Sequence, residues 1–395
     1  MSEVAALPPS APVKRPDGDG RSRAETGASR RSSAGRLLLL VPGGVALLAG
    51  LDAALLLLDL PAPVRLDRLP QVHGMLLVLG FVGTLVALER AVALRRRAGF
   101  LAPALLGTGG LLLLAPVPLR LGQAVQLLGA AAFVAVYVAL WRRQRDDAVL
   151  VQALGAVLAA GALILWLGGV PVPLLLPWLV GFVVLTIGGE RLELARLTLG
   201  PGAGTTLVLL AAGLLGGIVA ALLWPRTGAV LLGVALLVLV GWLASHDVAR
   251  RTIRARGLTR FMAGCMLAGY FWLAVAGAVW TVGGAATTGT RYDAVVHAVF
   301  LGFTISMIMA HAPVILPAVL RRPLPYHPVL VVPAVLLHGS LALRLWVGDA
   351  LGSEAAWRWG GVLNIAAVTL FVLLAVGSVV AGSEIRAGRG ERLRR

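Results

Sequence analysis

Charged residues and cysteine are both scarce in this chain of 395 residues. Only 13% of the residues are Asp, Glu, Lys or Arg, whereas 58% are hydrophobic. This composition excludes a soluble enzyme, and the many apolar runs close to the ~20 residues that cross a bilayer indicate a polytopic membrane protein. The single cysteine, Cys265, excludes a disulfide framework, a CxxCH haem-attachment site and a cysteine-ligated iron–sulfur cluster within this chain alone.

Acidic residues are the scarcer of the two charged classes, with 18 Asp and Glu against 35 Lys and Arg. The basic residues lie in the two tails and between apolar runs, with no interleaved aromatic platform, which excludes nucleic acid as a partner. The basic loops "LRRRAG", "WRRQRDD", "ERLELAR", "HDVARRTIRARGLTR" and "LRRPLPYH" all fall on one predicted side. The positive-inside rule makes that side cytoplasmic and predicts a multi-pass protein of the cytoplasmic membrane with both termini in the cytoplasm.

The apolar runs predict an all-α fold of twelve transmembrane helices in residues 36–383. A basic cytoplasmic tail, residues 1–35, is predicted to be disordered because it is rich in Pro, Ser, Gly and Arg and has no hydrophobic period. Residues 384–395 form a second basic cytoplasmic tail. The predicted helices are 37–60, 70–94, 101–117, 121–141, 147–168, 172–193, 204–224, 227–246, 258–283, 292–317, 328–347 and 357–382.

A short sequence motif recurs in helices 2, 6 and 10, which read "GFVGTLVALER", "GFVVLTIGGER" and "GFTISMIMAHA". Each Gly-Phe pair is followed, nine residues after the Gly, by an ionisable residue: Glu89, Glu190 and His311. Because these helices are four apart in chain order, the pattern predicts three four-helix repeats. Chance recurrence in helices rich in Leu, Val and Gly is the alternative.

Two histidines are predicted to lie at one depth near the outer membrane surface. His73 follows the start of helix 2 by about three residues and His297 the start of helix 10 by about five, which places both roughly 5 to 8 Å below the boundary. His311 lies about 21 Å deeper than His297 and about 40° around the helix. Ionisable side chains inside a bilayer are functional candidates by default.

A neutral imidazole is a preferred metal ligand, and two opposed histidines near one surface suit a haem iron held from both sides. His73 and His297 are therefore the candidate metal ligands. The alternative is that each is simply a hydrogen-bonded histidine at a helix end, where interfacial water is within reach.

The segments "QVHGMLLVLGFVG" and "HAVFLGFTISMIMA" resemble those of the NnrS family of haem-copper membrane proteins and, more distantly, subunit I of haem-copper oxidases. The likeness covers most of residues 37–380. It implies a haem held by His73 and His297 and a role in nitric oxide or nitrosative-stress metabolism. Redox proteins join the lipid bilayer as candidate partners on this interpretation.

Helices 6 and 7 lack the histidines with which the oxidases build a copper centre, so copper is not expected. His338, near the middle of helix 11, is a weak partner for His311 in a second haem. We expect His311 instead to meet Glu89 or Glu190 in a polar cluster at the inner ends of helices 2, 6 and 10.

That inner cluster supports an alternative function, a secondary transporter whose repeats meet around a central site. Reciprocal Glu–Arg pairs that only tie helix ends together are the structural explanation.

Three further residues are candidates near the outer site. Asp52 is a candidate hydrogen-bond acceptor for His73, Asp293 for orienting His297 or capping helix 10, and Arg344 for pairing with a haem propionate or a lipid phosphate.

Overall fold

The computed structural model describes residues 18–195, 199–320 and 325–392, and the described residues contain helices and no strands. Twelve helical spans are long and apolar enough to cross a membrane, which confirms the all-α polytopic fold. In chain order, spans 1 to 12 are Gly35–Leu57, Leu69–Leu94, Arg97–Leu114, Leu119–Gln144, Asp147–Leu167, Val172–Leu194, Ala203–Leu223, Pro225–His246, Gly257–Gly283, Gly289–Pro317, Pro328–Ala350 and Glu354–Val379. A one-turn helix, Ala249–Thr252, lies between spans 8 and 9.

Both predicted tails contain more helix than the sequence suggested. The helix of span 1 begins at Gly18, so part of the tail predicted to be disordered, residues 1–35, is helical, while residues 1–17 lie outside the described residues. The helix of span 12 likewise continues to Arg392, through most of the predicted tail 384–395. The polar segments extend helices whose first turns are already formed by the apolar spans, so they add residues without a nucleation cost.

Consecutive spans pack against each other, and span 1 also contacts spans 10 and 12, which brings the two ends of the chain together. Glycines allow the closest approaches. A Cβ added to Gly360 of span 12 would lie 2.6 Å from Cβ and 2.8 Å from Cα of Arg344 in span 11, so only glycine fits there.

Three spans contain an eight-residue π-helical segment. These segments are Leu76–Gly83 in span 2, Ala298–Ile305 in span 10 and Leu343–Ala350 in span 11. His297 directly precedes one of them, and two residues separate His73 from the start of another. Because a π turn holds more residues than an α turn, the predicted 40° between His297 and His311 does not apply to span 10. π segments in α-helices are frequent at functional sites.

Candidate functional site

The spans place ionisable side chains at two opposite ends, here called the His73 end and the Glu89 end. At the His73 end, Nδ1 of His73 lies 2.9 Å from the backbone oxygen of Gly50 in span 1. A carbonyl oxygen only accepts, so this contact assigns the proton to Nδ1 and leaves Nε2 with a free lone pair. No hydrogen bond reaches Nε2 of His73 from the described part of the chain.

His297 has the same arrangement on span 10. Its Nδ1 lies 2.9 Å from the backbone oxygen of Asp293, one turn earlier, and 3.2 Å from Oδ1 of the same residue. Both oxygens accept, so Nδ1 carries the proton. Nε2 of His297, too, has no hydrogen-bond partner among the residues that the structure describes.

An ion pair stands beside His297. Arg344 donates to both carboxylate oxygens of Asp293, with Nε–Oδ2 and Nη2–Oδ1 distances of 2.8 and 2.7 Å. The Arg344 guanidinium also lies over the ring of Trp357, 4.8 Å from its centre. This bidentate pair fixes the carboxylate that in turn orients the His297 imidazole. Arg344 was predicted to pair with a haem propionate or a lipid phosphate. In the structure, Nε and Nη2 of its guanidinium group donate to Asp293 instead.

Asp52 does not contact His73, contrary to the sequence prediction. Its carboxylate accepts from the backbone nitrogen of Val64, at 3.2 and 3.4 Å, and so fixes the loop after span 1. The backbone oxygen of Gly50, two residues earlier, takes the predicted place beside His73. The sequence prediction gave His73 a side-chain hydrogen-bond acceptor, whereas a backbone oxygen accepts its N–H.

The chemistry of the two free nitrogens suits a metal held by imidazole. His73 and His297 lie close enough to interact electrostatically, and Arg344 also acts on His73. No group of three or more His, Cys, Asp or Glu side chains that could hold a metal ion is found among the described residues. A haem iron can be held by one or two protein side chains, and His73 and His297 are the two residues at this end that would hold it.

At the Glu89 end, the first of two arginine-centred groups joins spans 2, 5 and 6. Arg90 donates to Glu89 at 2.6 Å and to Glu193 at 2.8 Å. Gln152 of span 5 donates to the same oxygen of Glu193 at 3.1 Å. These contacts tie helix ends together, as the structural explanation from sequence requires.

The second group is centred on Arg191. It donates to both oxygens of Asp247, directly after span 8, at 3.0 and 3.2 Å. Asp247 also accepts from the Tyr270 hydroxyl at 2.6 Å and from the backbone nitrogen of Ala249 at 2.8 Å. A carboxylate that is almost fully buried, with 2% of its side chain exposed, therefore has four hydrogen bonds.

His311 belongs to this second group, and its direct hydrogen-bond partners are not Glu89 or Glu190. Its Nε2 lies 3.0 Å from Nη1 of Arg191, and its Nδ1 lies 2.8 Å from the backbone oxygen of Met307. Glu190 and Arg191 are consecutive and so point about 100° apart around span 6, and Arg191 is the one that faces His311.

Glu89, Glu190 and His311 nevertheless line a single cavity of about 260 Å³. The cavity lies between spans 1, 2, 6, 10 and 12. The ionisable residues that follow the Gly-Phe motif in helices 2, 6 and 10 thus line one cavity, which is what three equivalent repeats would require.

His338 is occupied in the middle of span 11. Trp272 donates to its Nδ1 at 3.0 Å, and its Nε2 lies 3.2 Å from the hydroxyl oxygen of Ser306, which itself donates to the backbone oxygen of Cys265. Both ring nitrogens are used, as they are in His311. Neither histidine has a lone pair available for a second haem.

Sequence reasoning missed Asp247, Tyr270, Trp272 and Ser306. Asp247 had a signal, because it is the only carboxylate in the basic loop "HDVARRTIRARGLTR". A lone acid among arginines is a candidate for a buried partner. The other three are common helix residues and have no spacing that distinguishes them.

Comparison with protein-family models assigns the chain to a family. The model described as Domain of unknown function (DUF8744) matches residues 36–380, and the chain belongs to that family. Comparison with curated proteins gave no match, and comparison with solved structures gave none either.

Proposed function

We propose that this DUF8744 member is an integral membrane haem protein of the NnrS type, in which His73 and His297 would hold one haem. When bound, haem would supply a redox-active iron. The link to nitric oxide or nitrosative-stress metabolism comes from the resemblance of the segments around the two histidines. Redox proteins are the partners that this function implies.

The observation that carries the proposal is the shared hydrogen bonding of the two imidazoles. Each Nδ1–H is anchored by a backbone carbonyl, which leaves Nε2 as the free nitrogen. Metal-ligating histidines usually donate their other N–H in this way, because it fixes the tautomer and the ring orientation. His311 and His338 have both ring nitrogens bonded, so a free Nε2 separates His73 and His297 from them. His246 at the end of span 8 has the same Nδ1 contact, with the backbone oxygen of Trp242, but it is exposed.

The surroundings of His297 add support. Asp293 contacts the N–H side of the imidazole and would make the ring a stronger electron donor to a metal. Arg344 balances the charge of that carboxylate and fixes its position beside the imidazole. The basic loops favour a cytoplasmic-membrane location with the Glu89 end and both termini facing the cytoplasm.

The test is an absorption spectrum of the purified protein after expression with ample haem. Wild type should show a sharp low-spin reduced spectrum, and His73→Ala or His297→Ala should abolish it or convert it to high spin. His338→Ala is the matched control and should retain the wild-type spectrum. Wild-type protein without haem, or loss in the control equal to that in His73→Ala, would refute the assignment.

A second candidate function, a secondary transporter, is favoured by one observation. Glu89, Glu190 and His311 come from three separate spans and line one cavity, as central transport sites between repeats do. Proton-coupled uptake that is lost in Glu190→Gln and retained in His73→Ala would rank this function first.

A further inference from the structure

The cavity at the Glu89 end has a mainly apolar wall. Phe81, Phe182, Met307 and Ile308 are among the side chains that form it. Such a wall favours an apolar ligand body, because transfer of apolar surface out of water is favourable. Water alone would be poorly held along most of this surface.

The charge on the wall is one-sided. Glu89 and Glu190 line the cavity, and no Lys or Arg does so within the described chain. Arg90 is held by Glu89 and Glu193, and Arg191 by Asp247. Both arginines therefore use their N–H groups on carboxylates and His311 rather than on a ligand.

His311 does not add positive charge to the wall. Its Nε2 accepts a hydrogen bond from Arg191, which is possible only for the neutral ring, and its Nδ1–H is donated to Met307. A protonated His311 would place two N–H groups against each other. The arginine thus keeps the imidazole neutral.

Glu190 is a lining residue that Arg90 and Arg191 influence only through longer-range electrostatics. Its carboxylate faces the cavity, and no hydrogen bond or ion pair to it is present among the described residues. Arg191, its neighbour in sequence, is turned toward Asp247. An isolated carboxylate inside a membrane-spanning segment is costly and marks a ligand or ion position by default.

The cavity opens sideways, toward lipid. Gly44 of span 1 and Val376 of span 12 line it, and both are exposed at the protein surface, Val376 to 56%. Both residues lie within membrane spans, so the opening faces the bilayer. A ligand already dissolved in the membrane can enter there without crossing a polar barrier.

We propose that this cavity binds an amphipathic organic cation from the bilayer, with its apolar body against the aromatic and aliphatic wall and its cationic head at Glu190. The inference names the substrate class for the transport function proposed above and rests on that function for a physiological role. It is independent of haem at the His73 end. A lipid or another neutral occupant would leave Glu190 without a partner.

The experiment compares two probes that differ only in charge. Protein in nanodiscs is titrated with a 4-alkylphenyltrimethylammonium ion and with the neutral compound in which a tert-butyl group replaces the trimethylammonium group. The cation should bind saturably and more tightly than its neutral isostere. Glu190→Gln should weaken the cation at least about tenfold and leave the neutral probe unchanged.

Two further variants complete the design. Glu193→Gln makes the same substitution in a carboxylate that is paired with Arg90 and does not line the cavity, so it should keep the wild-type affinity. Gly44→Phe adds a ring at the opening, where an added Cβ meets no atom within 4 Å, and should weaken both probes. Haem content per folded molecule should stay constant in all three variants.

Equal affinity for the two probes, or cation binding that Glu190→Gln leaves intact, would overturn the proposal. So would the absence of saturable binding in wild-type protein whose fold is verified by its thermal transition. Saturable, Glu190-dependent binding without uptake into proteoliposomes would support the site and refute only the transport function.

Discussion

The two ends of this protein use histidine in opposite ways. At the His73 end, His73 and His297 each donate one ring N–H to a backbone carbonyl oxygen, and their other ring nitrogen has no hydrogen bond within the described chain. At the Glu89 end, His311 has both nitrogens engaged, one of them by Arg191. The free group at that end is a carboxylate, Glu190.

The difference shows which group at each end lacks a partner within the protein. Ionisable groups inside membrane spans are functional candidates, so an unbonded imidazole nitrogen or carboxylate there indicates either a missing partner or a functional role. The His73 end is open to an electron-pair acceptor, and the Glu89 end to a positive charge. The two proposals therefore concern two separate places in one fold.

The largest effect that would sharpen the comparison is expected at Asp247. Asp247→Ala removes four hydrogen bonds and leaves Arg191 as an uncompensated buried cation. Breaking a buried ion pair from one side costs roughly 3 to 5 kcal/mol. The free energy of unfolding, measured by SDS titration of protein in mild detergent, should fall by about that amount.

Tyr270→Phe is the graded control for Asp247. It removes one hydrogen bond to the carboxylate and keeps the Arg191 pair, so a loss of about 1 to 3 kcal/mol is expected. If Asp247→Ala costs no more than Tyr270→Phe, the group around Arg191 does not hold the Glu89 end together.

An intermediate effect is expected from Asp293→Asn at the His73 end. The amide still reaches His297 and Arg344 but no longer pairs with charge, so the loss of stability should be roughly 1 to 3 kcal/mol. It should be smaller than for Asp247→Ala because 17% of the Asp293 side chain is exposed. Haem content should persist while the midpoint potential rises, since a less basic His297 stabilises the oxidised iron less.

A purely structural Asp293 would lower stability and leave the midpoint potential unchanged. Asp52→Asn is the matched control at the same end, because Asp52 contacts Val64 and neither histidine. A shift in potential in that variant equal to the one in Asp293→Asn would remove the argument for a specific contact with His297.

The twelve spans could be predicted from sequence because length and hydropathy decide them. The sequence motif shared by helices 2, 6 and 10 predicted that Glu89, Glu190 and His311 cluster at one end, and the three residues line one cavity there. What could not be predicted was which of two consecutive side chains faces a neighbour. Glu190 and Arg191 exchange roles with a rotation of about 100°, and no pattern in a uniformly apolar helix fixes that angle.

The hydrogen-bond acceptors were equally hidden. Asp52 was expected beside His73, but a backbone oxygen two residues away serves, and every residue in a helix has such an oxygen. The π segments also change the register of spans 2, 10 and 11 in a way that periodicity does not indicate.

The smallest effect is expected for an exposed ion pair at the His73 end. Arg358 lies 3.4 Å from Glu354 and 3.8 Å from Asp59, with about half of its side chain exposed. Exposed pairs contribute roughly 0 to 1 kcal/mol because water and salt screen them. Arg358→Gln should therefore change the free energy of unfolding by less than about 0.5 kcal/mol, and added salt should abolish the difference. The residue belongs to the same end as Arg344, so this variant separates burial from location as the cause of the larger effects. A loss as large as that in Asp293→Asn would mean that charge at this end matters wherever it lies, and the special position of the Asp293–Arg344 pair beside His297 would lose its support.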